Sequence, residues 1–139
     1  MIEYHYETGF RLKRPEDYTE WLRMVVESEG AELGEVNYIF TSDEALCEIN
    51  TKYLQHDYYT DIISFDYTKG AVLSGDIFIS IDRVTENAGA YGVAVPEELK
   101  RVMVHGLLHF LGYTDDTEAA KLDMRNKENE KIKMFHVEQ

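Results

Sequence analysis

The sequence predicts an α+β fold, a single domain spanning residues 1–139 in which a four-stranded mixed β-sheet is covered by about five helices. Three observations predict it. A length of 139 residues lies in the range of one compact domain. A hydrophobic content of 44%, with 12% aromatics, is enough for a core and excludes global disorder. Strand-like and helix-like segments also interleave without the regular βαβ alternation of a doubly wound sheet.

The elements follow in order. Ile2–Thr8 reads as an N-terminal strand. Pro15 opens a helix whose apolar residues Tyr18, Trp21, Leu22, Val25 and Val26 recur at helical spacing until Gly30 stops it. Val36–Phe40 is a strand, and Thr41-x-x-Glu44 has the form of a capping box. The helix it starts carries Leu46, Ile49, Tyr53 and Leu54 on one side. Asp61–Phe65 and Asp76–Ile81 are short strands, and the intervening Gly70 and Gly75 suit a hairpin. Ile81–Tyr91 is helical up to the Gly92 break. Pro96-Glu97-Glu98 begins a central helix that runs through Leu111, with Gly112 at its C′ position. A last helix, roughly Asp116 to Phe135, has a mixed pattern and a charged outer face. No linker, internal repeat or low-complexity tract interrupts this order.

Charge narrows the function classes. The 27 acidic and 14 basic side chains give a formal net charge of −13. Such a balance excludes a protein that holds nucleic acid by a broad basic face. It leaves room for a local basic groove, or for a bound cation that inverts the field around it. Cys47, the one cysteine, has no partner for an intrachain disulfide or a thiolate cluster, which fits a reducing compartment. The start Met1-Ile2-Glu3-Tyr4-His5 lacks the basic and apolar regions of a signal peptide, and no apolar run approaches a membrane span. A soluble cytoplasmic domain is the expectation.

The chemistry concentrates at the end of the central helix. Two of the five histidines stand in His105-Gly-Leu-Leu-His109-Phe-Leu-Gly112-Tyr113-Thr-Asp115, among apolar neighbours. Residues four apart share a helical face, so two imidazoles at this spacing can point at one metal ion. Gly112 ends the helix, and Asp115, ten residues after His105, is placed to supply a third ligand from the turn. Asp116 is the neighbouring alternative, but the spacing favours Asp115, and Asp116 suits the N-terminus of the next helix. The spacing is that of the metzincin metalloproteases, whose general-base glutamate is replaced here by Gly106. A peptidase reading therefore loses its water-activating residue. The competing structural reading has both histidines as core residues satisfied by backbone carbonyls.

The same segment resembles the YbeY family of metal-dependent endoribonucleases and ribosomal RNA maturation factors. The hallmark H-G-x-L-H-x-x-G-Y-x-H is matched by His105, Gly106, Leu108, His109, Gly112 and Tyr113. Ile49-Asn50-x-x-Tyr53, Asp57 and Thr60-Asp61-Ile62-Ile63-Ser64-Phe65 are similar to a second block, and Gly75-Asp76-Ile77-Phe78-Ile79 to a third. Glu98-Leu99 and Met124-x-x-x-Glu128 also fit, so matched blocks run from about residue 49 to 128. Two positions depart from the family pattern. The third histidine is Asp115, a competent zinc ligand that lowers the site's charge by one unit. The arginine after the tyrosine is Leu54, which can neither bind nor neutralise phosphate.

The resemblance implies one zinc ion on His105, His109 and Asp115, and cleavage of a ribosomal RNA precursor. It implies ribosome or ribosome-assembly proteins as partners, with neither a membrane nor DNA. Asp61, by its place in the Thr60-Asp61 block, is either a proton-accepting carboxylate beside the ligands or a strand-start turn aspartate. Glu128 either reaches the site or lies on a solvated helix face, with the second favoured. Asp76 suits a hairpin turn, where its side chain bonds backbone amides, and Ser64 suits simple packing. The alternative function is a ribosome-assembly binding factor with a mainly structural metal. Two histidines and a carboxylate also describe a non-haem iron site, which nothing else in the motif favours.

Overall fold

Buried and exposed side chains alternate along the strands, so the sheet has one strongly apolar face. The computed structural model describes residues 1–55 and 59–135. Asp57 of the second resemblance block lies outside the described residues. The order is β1 (Ile2–Tyr6), α1 (Pro15–Ser28), β2 (Glu32–Thr41), α2 (Asp43–Leu54), β3 (Ile62–Asp66), β4 (Val72–Ser80), α3 (Ile81–Tyr91), α4 (Val95–Phe110) and α5 (Glu118–Ile132). The sheet runs β1-β2-β4-β3; β1, β2 and β4 are parallel and β3 is antiparallel to β4. This is the expected mixed α+β architecture, with four strands and five helices among the described residues.

Register explains which face is buried. Tyr4, Tyr38 and Ile77 lie side by side across β1, β2 and β4, and Tyr6, Phe40 and Ile79 follow two residues on. Their face packs against Leu99, Val102, Met103 and Leu107 of α4 and Trp21, Leu22 and Val25 of α1. Deep in this core the Tyr38 hydroxyl donates to the Met103 carbonyl at 2.7 Å, fixing α4 two residues before His105. Glycine lets the layers close. A Cβ on Gly75 would stand 2.4 Å from the Phe65 carbonyl and 2.5 Å from the Phe110 ring, so β4 must present a bare backbone there. Gly75 accordingly lies within β4 and not in the turn, which Gly70 makes at φ 60°.

Several expected boundaries move for local reasons. β2 begins at Glu32, four residues before Val36, because a register shift between Leu33 and Val36 breaks the alternation that marks a strand. Thr41 is buried and still paired in the sheet, so it does not cap α2. Ser42 caps that helix, its Oγ accepting from the Ala45 N–H. Likewise Thr117, not Asp116, caps α5 by accepting from the Ala120 N–H. On α2 the side facing the protein carries Leu46 and Asn50, while Tyr53 and Leu54 are exposed. Asp76 sits inside β4 and accepts from the Asn37 side-chain amide across the strand pair, so it is not a turn residue.

α5 is joined to the fold by polar as much as apolar contacts. Met124 is buried, and the Trp21 indole donates to the Lys131 carbonyl at 2.7 Å. The buried Lys131 ammonium lies 2.8 Å from the Glu29 carboxylate at the end of α1, and the Tyr113 hydroxyl donates to the same carboxylate at 2.6 Å. Burial would raise the Glu29 carboxyl, but hydrogen bonds from Lys131 and Tyr113 and the charges of Lys131 and Lys127 pull it down from 4.5 to about 2. A carboxyl depressed in the folded state stabilises the fold above its unfolded value, and that contribution is lost as pH falls towards the folded value. Screening at this partly exposed site reduces it to about 1–2 kcal/mol. Urea denaturation at about pH 6 and about pH 3 should therefore show wild type losing about that much more stability than Glu29→Gln. Parallel losses in the two proteins would exclude the network as a stabilising element.

Candidate metal centre

α4 is apolar on almost every side because it lies between the sheet and the other helices. Pro96 and the first-turn acids Glu97 and Glu98 start it, with the carboxylates at the positive end of the helix dipole. His105 and His109 occupy the stripe that is left partly open. Their Nε2 atoms lie 3.0 Å apart, and Asp115 Oδ2 lies 3.4 Å from the first and 3.6 Å from the second. The structure thus brings His105, His109 and Asp115 to one point. Asp116 is not part of that group among the described residues.

The helix cap aims the second histidine. Gly112, at φ 106°, takes a left-handed conformation that other residues rarely adopt. Its N–H donates to the His109 carbonyl and the Tyr113 N–H to the Leu108 carbonyl, the paired bonds of a Schellman motif. The turn leaves the Tyr113 carbonyl 3.1 Å from His109 Nδ1. The Tyr113 hydroxyl is held by Glu29, so the turn that carries Asp115 is anchored to α1.

The first histidine is aimed from α5. His105 Nδ1 donates to Glu128 Oε2 at 2.6 Å, and Glu128 Oε1 accepts from Arg101 at 2.9 Å. Glu128 is 7% exposed, which corrects the expectation of a solvated helix face. The sequence leaves this role as the less favoured of two readings, although Met124 and Glu128, four apart, share one face of α5 and Met124 is buried. Arg101, which completes the latch through Asn129, carried no signal in the sequence.

These partners fix both tautomers. A carboxylate and a carbonyl each require a proton on the Nδ1 they face, so the neutral rings point bare Nε2 lone pairs at each other and at a carboxylate oxygen. Three acceptors at such distances repel unless a cation stands among them. The chemistry of the set suits a divalent ion: a tetrahedral ion about 2.0–2.1 Å from its nitrogen and oxygen donors spaces them about 3.3 Å apart. The observed separations of 3.0, 3.4 and 3.6 Å match. When protons are the only cations, the rings diverge. Burial would lower His105, but the hydrogen bond and charge of Glu128, then Asp115 and Asp61, raise it. Burial and the charge of His105 lower His109.

A cleft of about 340 Å³ opens beside His105 and Asp115. Asp61 lines it, and burial raises its carboxyl although His105 opposes the shift. The buried Glu98 lines it too, and is raised by burial and then by the nearby Asp61. Arg101 of α4 and Lys121 and Arg125 of α5 line it as well. Leu54 lies at the exposed end of α2 and is not among the described residues of this lining. Gly106 faces away from the cleft, where a Cβ would come 2.9 Å from Ile77 Cδ1. A glutamate at that position would be driven into the sheet, not towards the histidines.

Comparison with known proteins agrees with this geometry. A family model described as Endoribonuclease YbeY matches residues 5–136. The Endoribonuclease YbeY of Flavobacterium johnsoniae is 55% identical over 139 residues, covering 100% of both chains. That of Flavobacterium psychrophilum is 52% identical over 139 residues, covering 100% of this chain and 99% of its own. Among solved structures, the solution structure of TM1509 from Thermotoga maritima superposes with a TM-score of 0.71 at 26% identity. The match covers 97% of this chain and 89% of that one.

A carboxylate behind a ligating imidazole commonly carries a 10–100-fold share of metal affinity. Glu128→Gln should therefore weaken zinc binding by roughly tenfold or more in competition titrations with a chromophoric chelator. Unchanged affinity would show that the carboxylate does not orient His105.

Proposed function

The chain belongs to the YbeY family, and on that membership together with the converging triad we infer that it is a metal-dependent endoribonuclease, a hydrolase that cuts RNA internally. The observation that carries this reading is the meeting of His105 Nε2, His109 Nε2 and Asp115 Oδ2 within 3.6 Å of one another. We assign these three residues as the ligands and zinc as the ion, because two imidazoles and a carboxylate at tetrahedral spacing suit it. Three protein ligands leave one position for water or substrate, the pattern of catalytic sites and not of closed structural ones.

When bound, the ion supplies a Lewis acid that polarises a phosphoryl oxygen and makes a water acidic near neutral pH. The remaining work falls to side chains. Glu128 and the Tyr113 carbonyl hold the two imidazoles in one tautomer and one orientation. Asp61 accepts the proton of the attacking water or of the RNA 2′-hydroxyl on a carboxylate oxygen, and returns it to the leaving oxygen. Burial suits Asp61 to that exchange because it raises the carboxyl against the opposing charge of His105. Gly106 leaves the site without the base that peptide hydrolysis requires.

We place the substrate among ribosomal RNA precursors, the partners among ribosome or ribosome-assembly proteins, and the protein in the cytoplasm. The family resemblance supports all three. No described helix is long and apolar enough to cross a membrane. One sheet and one core support reading residues 1–139 as a single domain.

The test compares zinc-reconstituted wild type with His109→Ala on a structured RNA. Wild type should cleave, and the variant should lose metal and at least about a hundredfold in rate. Equal cleavage by both proteins would refute the nuclease assignment. Stoichiometric zinc without cleavage in wild type would instead favour the ribosome-assembly binding factor.

A further inference from the structure

The cleft beside the triad does not end there. Tyr91, Glu98, Arg101 and Arg125 line both it and an adjoining cleft of about 600 Å³, which runs on to Lys100 and Ile132. A continuous trough therefore leads from Asp115 along the seam of α3, α4 and α5. We propose that this trough is the path of a single RNA strand, with Arg125 and Lys121 holding successive backbone phosphates and Tyr91 stacking on an unpaired base. The proposal rests on the endoribonuclease reading above and adds to it which residues hold the substrate.

The charges of the trough sort into engaged and free groups. Arg101 is engaged: its guanidinium is divided between Glu128 at 2.9 Å and Asn129 at 2.8 Å. Arg125 is not, being 56% exposed with its nearest carboxylate oxygen, on Glu128, 4.0 Å away. Lys121 is 61% exposed and, among the described residues, pairs with the solvated Glu118 at 3.7 Å. Exposed pairs of this length contribute little, so both cations can exchange them for phosphate at small cost. They stand four residues apart on one face of α5, about 6 Å along its axis, or one backbone step of an extended strand. In a chain of net charge −13, this is a place where free cations stand beside the proposed cutting site. Leu54 can do nothing of the kind.

Among the acidic groups of the trough, Asp115 faces the ion position and Glu128 is neutralised by His105 and Arg101. Burial raises the Asp61 and Glu98 carboxyls, and Glu97 lines only the adjoining cleft, which Lys121 does not line. Tyr91 supplies the remaining chemistry. It is 62% exposed at the end of α3, where Gly92 at φ 69° turns the chain away, and its ring packs on no other ring among the described residues. Aromatic faces beside a cationic track are the usual means of holding unpaired bases, which stack without regard to sequence.

The experiment uses the zinc-loaded full chain and a fluorescent single-stranded RNA, and reads kcat and KM over a series of salt concentrations. Arg125→Gln should raise KM roughly tenfold with kcat within about twofold, and Lys121→Gln/Arg125→Gln should raise it further. Each lost phosphate contact should lower the slope of log KM against log salt by about 0.7, while Arg125→Lys keeps the slope. Tyr91→Ala should raise KM roughly tenfold and Tyr91→Phe should restore it. Arg23→Gln, on the far helix α1, is the control for net charge alone. Variants that cleave with the KM and slope of wild type would overturn the strand path while leaving the endoribonuclease reading standing. Wild type that holds zinc but neither binds nor cleaves the RNA would overturn both.

Discussion

Two imidazoles whose Nε2 atoms meet at 3.0 Å, each with its Nδ1 turned to an acceptor and a carboxylate oxygen at 3.4 and 3.6 Å, stay together only around a positive charge. Much of the fold serves to keep them there. Tyr38 locks the register of α4 from the sheet, and Gly106 lets the same helix lie close on Ile77 and Ile62. The Schellman cap presents the Tyr113 carbonyl to His109, while α5 presents Glu128 to His105. Each Nδ1 is thereby turned to an acceptor, and in the neutral rings each Nε2 is free to accept a cation.

The polar contacts of α5 follow from the same requirement. A helix docked only by apolar residues could not bring a carboxylate to His105 without burying it unpaired, which is costly. Glu128 is therefore shared between His105 and Arg101, and the next turn pairs Lys131 with Glu29. Glu29 in turn holds the Tyr113 hydroxyl. A single carboxylate at the end of α1 thus joins α5 to the loop that carries Asp115. Folding and the candidate metal site are linked through side chains far apart in sequence.

Legibility in the sequence divided along physical lines. The apolar spacing of α1 and the prolines at the starts of α1 and α4 are local signals, and those helices appear within a residue or two of expectation. His105 and His109 were legible for the same reason, since an i, i+4 pair on one helix needs no tertiary knowledge. Glu128 was legible only as the less favoured of two readings, because its partner is 23 residues away and α5 buries a glutamate and a lysine where an amphipathic pattern would show apolar residues. The start of β2 was hidden by a bulge, and the cap of α2 by Thr41 remaining in the sheet. The negative net charge speaks against a broad basic face but carries no information on where individual cations stand.

We infer that one ion sits on two α4 imidazoles and the Asp115 carboxylate. X-ray absorption at the zinc edge, on protein carrying one equivalent of zinc, tests it most directly. The predicted result is one tightly held ion per chain with two imidazole nitrogens and oxygen ligands at about 2.0–2.1 Å. A sulfur scatterer at about 2.3 Å, which would move the ion to Cys47, or a shell without imidazole, would contradict it.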